Sequence, residues 1–471
     1  MSLKLFNTLS GKLETFKPLD GETVRMYSCG PTVYDVPHIG NFRAFLFFDL
    51  VKRYLRFLGY DVNHVMNITD VDDKIIAKCG EKRKSLLELT AKYRTAFEKD
   101  AESLHIDLPE VLPAATDHIG DMIDLIKELI DKDYAYVVDG GSVFFKIGSF
   151  PDYGRLSRID ITQLSSTDRV AEDEYGKENP QDFALWKAWK EEDGEIVWDS
   201  PWGRGRPGWH IECSAMSMKY LGEEFDIHCG GVDLIFPHHE NEIAQSVCAT
   251  DQLFVNFWLH CEHLLVNGAK MSKSLQNFYT ITDLINRGYT ASAIRYLLTS
   301  SHYRHKVDLT EEHILAANQA VNRFQDFRRR LEKLATSSSG NESDLPMLVL
   351  DEFRKAMNND LNIAEAMGKV FDWIREVNRK IDSNELTTEE ASSSIEVLDK
   401  IDSVIAVVSD DKPEITDEEA TMIDEREKAR QEKNWSRADE IRDYFRSKGF
   451  ELEDTPDGTI LKRSKEGSDK V

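Results

Sequence analysis

At 471 residues the chain is too long for one ordinary core, so two to four domains are expected. Hydrophobic residues at 41% and charged residues at 31% exclude a fibrous or disordered chain, and a formal charge of −26 argues against a general nucleic-acid coat while leaving room for local basic faces. Six cysteines make no disulfide framework at this length, no window approaches 18 charge-free apolar residues, and nothing resembles a signal peptide, so the expectation is a cytosolic protein without a membrane span.

Residues 22 to 29 alternate as a strand, ended by Gly30-Pro31-Thr32. Gly40 opens an amphipathic helix to about Leu58, Gly59 stops it, and Asp61 to Ile68 reads as the next strand. That strand, helix, strand order implies a parallel sheet. One helix is expected from Asp73 to Glu102 and another from Ala114 to Lys132. From Tyr134 the texture changes: Val143-Phe144-Phe145 is a short strand, residues 157 to 181 are polar, and Trp186, Trp189, Trp198 and Trp202 precede a glycine-rich run at 203 to 208.

Beyond Lys273 the pattern is helical, over Ile281 to Arg287, Thr290 to Ser300 and Glu311 to Leu334, then, past a serine-rich loop, over Leu345 to Asn358, Asn362 to Lys380 and Ser392 to Val408. After a linker at Asp410 to Pro413 come a helix from Asp417 to Gly449 and a hairpin from Phe450 to Leu461 around Pro456-Asp457-Gly458. The predicted fold class is α/β: a Rossmann-like parallel-sheet catalytic domain with a small insertion, an α-helical bundle domain and a small C-terminal α+β module. Its predicted parts are 1–133 and 205–260 for the two halves of the sheet domain, 134–204 for the insert, 261–310 for a loop region, 311–409 for the bundle and 410–471 for the last module.

Three stretches suggest chemistry. Cys213, His238 and Glu242 are zinc-type ligands, the four-residue step from His238 to Glu242 puts both on one helix face, and Cys29, at the end of a strand, is the best fourth ligand. A structural zinc would satisfy the same chemistry. Cys229 reads as a buried thiol beside the site, and Cys79, Cys248 and Cys261 as core or surface thiols. Pro37-His38-Ile39-Gly40-Asn41 joins a strand to a helix, where a helix N-terminus favours phosphate; alone, His38 is an ordinary loop histidine. Gly268 to Ser274 carries Lys270 and Lys273 three residues apart, either a solvated turn or a loop bringing cations to a triphosphate.

Taken together, these stretches resemble the class I aminoacyl-tRNA synthetases, and within them the cysteinyl-tRNA synthetase family, over essentially the whole length. His38-Ile39-Gly40-Asn41 matches the HIGH signature except that Asn41 replaces its second histidine, an amide that still donates but cannot become cationic. Lys270-Met271-Ser272-Lys273-Ser274 matches KMSKS without change, and Cys29, Cys213, His238 and Glu242 fall on the zinc ligands. The resemblance implies a catalytic and ATP-binding role for His38, Gly40, Asn41, Lys270 and Lys273, with Met271, Ser272, Gly230, Gly231 and Asp233 also on the nucleotide. It implies substrate contacts from Thr69, Asp70, Trp209 and His228, with His228 either orienting a zinc-bound thiolate or fixing the ligand shell. An N-cap role for Thr69 or Asp70 is the plainer alternative.

The same resemblance assigns 134–204 to acceptor-end binding, with Trp186, Trp189 and Arg204 as candidate contacts, and 410–471 to anticodon recognition, with Trp435, Asp439 and Asp454 as candidates. Leu461 departs from the tryptophan usual near that position. The implied cofactors are one Zn²⁺ per subunit and Mg²⁺ with ATP; the implied partners are cysteine tRNA, ATP and L-cysteine, acting on a monomer. Two rivals stand beside this reading: a cysteine ligase with an amino-sugar acceptor, which the module past residue 400 disfavours, and a non-catalytic tRNA-binding paralogue, in which the signatures would have decayed.

Overall fold

The computed structural model describes residues 2–82, 84–159, 181–271, 277–335, 344–408, 416–448, 450–455 and 458–463. Its centre is a four-stranded parallel sheet in the order Val255–Cys261, Phe225–Gly231, Thr23–Ser28, Asp61–Met66. From Thr23–Ser28 the chain passes through the helix Ile39–Phe57 to Asp61–Met66 on one side; Phe225–Gly231 and Val255–Cys261 are later added on the other. That reversal opens a crevice beyond the carboxyl ends of the two middle strands. Cys29, Gly230 and Gly231 stand at its mouth.

The helix Ile39–Phe57 is buried nearly all round, by Phe42, Leu46, Phe47, Val51 and Tyr54 among others. An amphipathic stripe would have sufficed against the sheet alone; the wider apolar surface exists because the bundle packs on its other side. One continuous core runs from Met26 and Ile227 through this helix to Phe324, Phe353 and Val397. The helices Glu311–Leu334, Asp344–Met357, Ile363–Asp382 and Thr388–Ile405 form the bundle. Arg295, fully buried in the helix Ala291–Thr299, seals the junction: it pairs with buried Asp49 and donates to the carbonyls of Leu104 at 3.0 Å and Ile405 at 2.7 Å.

The insert is a four-stranded antiparallel sheet, Ala135–Val137, Val143–Phe145, Phe183–Ala188 and Gly205–Pro207, so it extends a few residues past the expected boundary at 204. Most of the expected polar stretch at 157 to 181 lies outside the described residues. Glu240, fully buried at the start of the helix Glu240–Thr250, accepts from the N–H groups of Gly154 and Ser157 and fixes the insert to the crevice. Beyond the main sheet, Leu264–Val266 pairs with Ala269–Lys270 and Val307–Leu309.

Two expected helices are each two. The first breaks into Asp73–Lys82 and Leu86–Ser103, because Ser85 and Glu88 form a reciprocal capping box at 3.3 and 3.2 Å. The second breaks into Asp417–Gln431 and Trp435–Ser447: Lys433 turns to φ 60° and Asn434 caps the new helix. The terminal hairpin pairs Phe450–Thr455 with Gly458–Arg463 as expected, its Pro456 and Asp457 lying outside the described residues. Among the described residues no helix is long and apolar enough to cross a membrane.

Candidate metal and nucleotide site

Four elements bring the metal-type ligands together at the crevice. Cys29 follows the strand Thr23–Ser28, Cys213 lies in the helix Trp209–Leu221, and Glu242 lies in the first turn of Glu240–Thr250. His238 lies in the helical turn Ile235–His239, irregular at Phe236 and its cis bond to Pro237, which leads directly into that last helix and puts His238 four residues ahead of Glu242 on the expected face. Its Nε2 meets Glu242 Oε1 at 3.1 Å. The Cys29 and Cys213 sulfurs are 4.0 Å apart, Cys29 Sγ is 4.0 Å from Glu242 Oε1, and all four ligand atoms lie within 4.8 Å of one another.

The charges are arranged for a cation. Burial would raise the Glu242 carboxyl, yet His228 and then His238 hold it down to about 2. The hydrogen bond with Cys29 brings the Cys213 thiol down to about 6, while burial keeps the Cys29 thiol well above its ordinary value. His238 is raised to about 10, since Glu242 and then Cys213 outweigh its burial. Two thiols, an imidazole and a carboxylate in a tetrad this tight fit zinc, and fit poorly a hard cation that wants oxygen throughout.

Sequence reasoning found His228 but missed the other residues behind this tetrad. His239 Nε2 lies 3.3 Å from Cys29 Sγ, and Cys29, His228, His239 and Glu242 form a second set of convergent ligand atoms. His239 Nδ1 bonds His260 Nε2 at 2.8 Å, His260 Nδ1 bonds Thr8 Oγ1 at 2.8 Å, and His210 Nδ1 bonds His238 Nδ1 at 2.9 Å. Burial holds His260 at about 3 and His239 well below its usual value, so both are neutral. The adjacent histidines of Pro237-His238-His239 were the available signal. Cys229 alternates to the opposite sheet face and joins the main core.

Of the expected substrate contacts, Trp209 is 43% exposed and its ring lies 4.3 Å from that of His238, so it walls the space beside the tetrad. Thr69 donates to Glu212 at 3.0 Å, and Asp70 accepts from the Thr116 N–H at 2.9 Å and its hydroxyl at 2.6 Å. His228 is wholly buried: stacked on Trp258, it reaches Glu242 Oε2 at 2.9 Å and orients that ligand from behind.

At the phosphate end, His38 precedes the helix Ile39–Phe57 with extended backbone, its ring edge-on to Phe278. The Asn41 side-chain oxygen accepts from the His38 N–H at 3.0 Å, so the residue that departs from the signature caps the helix. Met271 closes on this turn: a Cβ on Gly40 would lie 2.6 Å from Met271 Cε and 3.0 Å from the His38 ring. The two signature segments therefore touch. Lys270 is exposed at the end of the strand Ala269–Lys270; Ser272 and Lys273 lie outside the described residues. Gly230 makes room for protein, since a Cβ there would lie 2.4 Å from His239 Cε1, and one on Gly231 would meet Asp233 Oδ1 at 2.5 Å. Asp233 itself is exposed at the crevice.

The candidate RNA contacts divide. Exposed Arg204 lies over the ring of exposed Trp189, centroid distance 5.6 Å, a ready stacking and phosphate pair. Trp186 is removed from contention, because it is fully buried in the core of the insert. Trp435, which could have been the core of its module, is 57% exposed; Ala438, Ile441 and Phe445 fill that core instead. Asp439 pairs with Arg442 at 2.9 Å, and Asp454 stands in the hairpin opposite Thr459.

Comparison with known proteins agrees with this geometry. The family described as tRNA synthetases class I (C) catalytic domain matches residues 15–319, and the DALR domain matches residues 352–408. A cysteine–tRNA ligase of Chlamydia abortus is 48% identical over 468 residues, covering 98% of each chain. One of Koribacter versatilis is 46% identical over 496 residues, covering 98% of this chain and all of its own. A Mycobacterium tuberculosis methionyl-tRNA synthetase bound by methionyl-adenylate shares the fold, with a TM-score of 0.60 at 13% identity over 82% of this chain and 92% of that one. With a parallel-sheet crevice, both signature segments in contact and relatives this similar end to end, the chain belongs to the cysteine–tRNA ligase family of the class I aminoacyl-tRNA synthetases.

Proposed function

We propose that this enzyme joins L-cysteine to cysteine tRNA by way of cysteinyl-adenylate. The observation that carries the reading is the Cys29/Cys213/His238/Glu242 tetrad, with the Trp209 ring against His238 and Thr69 bonded to Glu212, the neighbour of Cys213. A zinc ion held there would supply a soft Lewis acid that takes a substrate thiolate in preference to the harder, more basic hydroxyl of serine. Bond chemistry of that kind gives the ~10⁴-fold discrimination that pocket size alone does not, so no editing domain is required.

The chain's own groups do the rest. Trp209 and Thr69 orient the amino acid, with its carboxylate toward the nucleotide. ATP, arriving with Mg²⁺, lies over Gly231 and Asp233, where the carboxylate accepts from ribose hydroxyls. His38, Lys270 and Lys273 then stabilise charge on the reacting phosphates as the cysteine carboxylate attacks the α-phosphorus and pyrophosphate leaves. Attack by a carboxylate needs no general base. In the second step the 2′-hydroxyl of the terminal adenosine attacks the adenylate carbonyl, the acyl–phosphate bond breaks and AMP leaves with the hydroxyl proton, and fixing two substrates in line supplies much of the rate. The insert, with Trp189 and Arg204, meets the acceptor end; the module after residue 416 reads the anticodon; the enzyme works as a monomer in the cytosol.

Charging purified tRNA with radiolabelled cysteine, beside serine and ATP-free controls, tests this. The expected result is ATP-dependent attachment of cysteine confined to cysteine tRNA. Cysteine-dependent pyrophosphate exchange without charging would assign another acceptor, such as an amino-sugar. Binding of tRNA with no activation would assign a non-catalytic role.

A further inference from the structure

Thr69 cannot rotate its hydroxyl freely. Its Oγ1 accepts from Asn67 Nδ2 at 3.0 Å and donates to Glu212 Oε2 at 3.0 Å. Asn67 is itself held, its Oδ1 accepting from the Gly30 N–H at 2.9 Å. The backbone is pinned too, Thr69 N donating to Pro31 O at 3.1 Å while Thr69 O accepts from Val33 N at 3.0 Å. Asn67, Thr69 and Glu212 are each no more than 2% exposed. Glu212 and Cys213 are successive residues of one helix, about 100° apart around it, so one side chain goes to the ligand tetrad and the other to Thr69.

A hydroxyl has one proton and two lone pairs. With Asn67 on one lone pair and the proton committed to Glu212, a single acceptor direction is left. A rotor without Glu212 would be free to turn its proton toward the pocket, where it would oppose a cationic group. We propose that Glu212 is a positioning residue for cysteine recognition: by taking the Thr69 proton, it fixes the remaining Oγ1 lone pair as an acceptor for the substrate ammonium. The inference rests on the reading above, that Thr69 helps orient an α-amino acid in this pocket, and adds that the group it meets is the ammonium.

The test is Glu212→Ala in the full-length, metal-loaded enzyme, read by cysteine-dependent ATP–pyrophosphate exchange. The KM for cysteine is expected to rise about tenfold, the scale of one hydrogen bond to a charged group, with the KM for ATP and the bound-zinc content unchanged. Inhibition by 3-mercaptopropionate, which keeps the thiol and carboxylate but lacks the amino group, is expected to be unaffected. Glu212→Gln, which still offers an oxygen to Thr69, should restore most of the cysteine affinity. Thr69→Val should reproduce the Glu212→Ala effect, and combining the two should add little.

Equal weakening of cysteine and 3-mercaptopropionate, loss of zinc, or no change for either ligand would overturn the assignment. Should Glu212→Ala fail to fold, Thr69→Val carries the same comparison between the two ligands, and Glu212→Gln tests the oxygen acceptor. A wild-type enzyme with no cysteine-dependent exchange would overturn the functional reading itself, an outcome separate from any change confined to the variants.

Discussion

The crevice and the C-terminal module use the same kinds of residue to opposite ends. At the crevice, Cys213, His238 and Glu242 are at most 1% exposed and a chain of hydrogen bonds stands behind them, from Thr8 through His260 to His239. In the module, Trp435 stands 57% exposed and the charged groups pair on the surface, as Arg437 does with Glu425 and Glu440. A small ligand must be recognised by few atoms, which therefore have to be fixed and dry. An RNA loop offers many atoms, so an exposed aromatic plane and adaptable charges suffice.

Cys213→Ser attacks the crevice hardest. Metal content should fall, and discrimination between cysteine and serine should drop from about 10⁴-fold toward about 10²-fold, read by metal analysis and by exchange with each amino acid. Full metal retention with unchanged selectivity would break the contrast. Gly40→Ala should slow adenylate formation by about 10²-fold, because a methyl group there displaces Met271 from the His38 turn; stopped-flow adenylate formation measures it, with metal content as the control.

Trp435→Ala should raise the KM for tRNA about tenfold and leave pyrophosphate exchange and the melting temperature nearly unchanged, as expected for a stacking surface and not for a core residue. The smallest effect concerns Glu419, held at about 2 by its hydrogen bond with Lys448 and then by the Thr416 N–H. A carboxylate depressed in the folded state contributes stability above its ordinary value of 4.5, which is lost as pH falls toward 2. Unfolding of the full chain between pH 5 and 3 should depend on pH less steeply in Lys448→Ala, and salt should narrow the gap.

How much of this could be read from residue order varies with the kind of feature. Strand, glycine stop and strand at residues 22 to 68 were plain, because period and punctuation are local. The break at Ser85 was missed although Ser85 and Glu88 spell a capping box; apolar periodicity on both sides hid it. The convergence of Cys29, Cys213, His238 and Glu242 was legible by ligand type. Of the supporting histidines His228 was legible but His239 and His260 were not, since Thr8 and His260 meet only when the amino-terminal turn crosses the edge strand, Thr8 N donating to Trp258 O. Trp186 and Trp189 show the same limit: three residues apart in sequence, one is core because it lies inside the strand Phe183–Ala188 and the other is surface just past that strand's end.

Arg295 carries a mechanical consequence. Its guanidinium is satisfied only while Asp49 of the catalytic helix, the Leu104–His105 turn and the last residue of Thr388–Ile405 stay together. Sliding the bundle away would leave the pair with Asp49 intact but break the bond from Arg295 to Ile405, at about 1.5–3 kcal/mol. The sheet domain and bundle should therefore melt in one calorimetric transition. A torque applied at the far end of the bundle would be passed through this buried contact and the continuous core to the helix Ile39–Phe57.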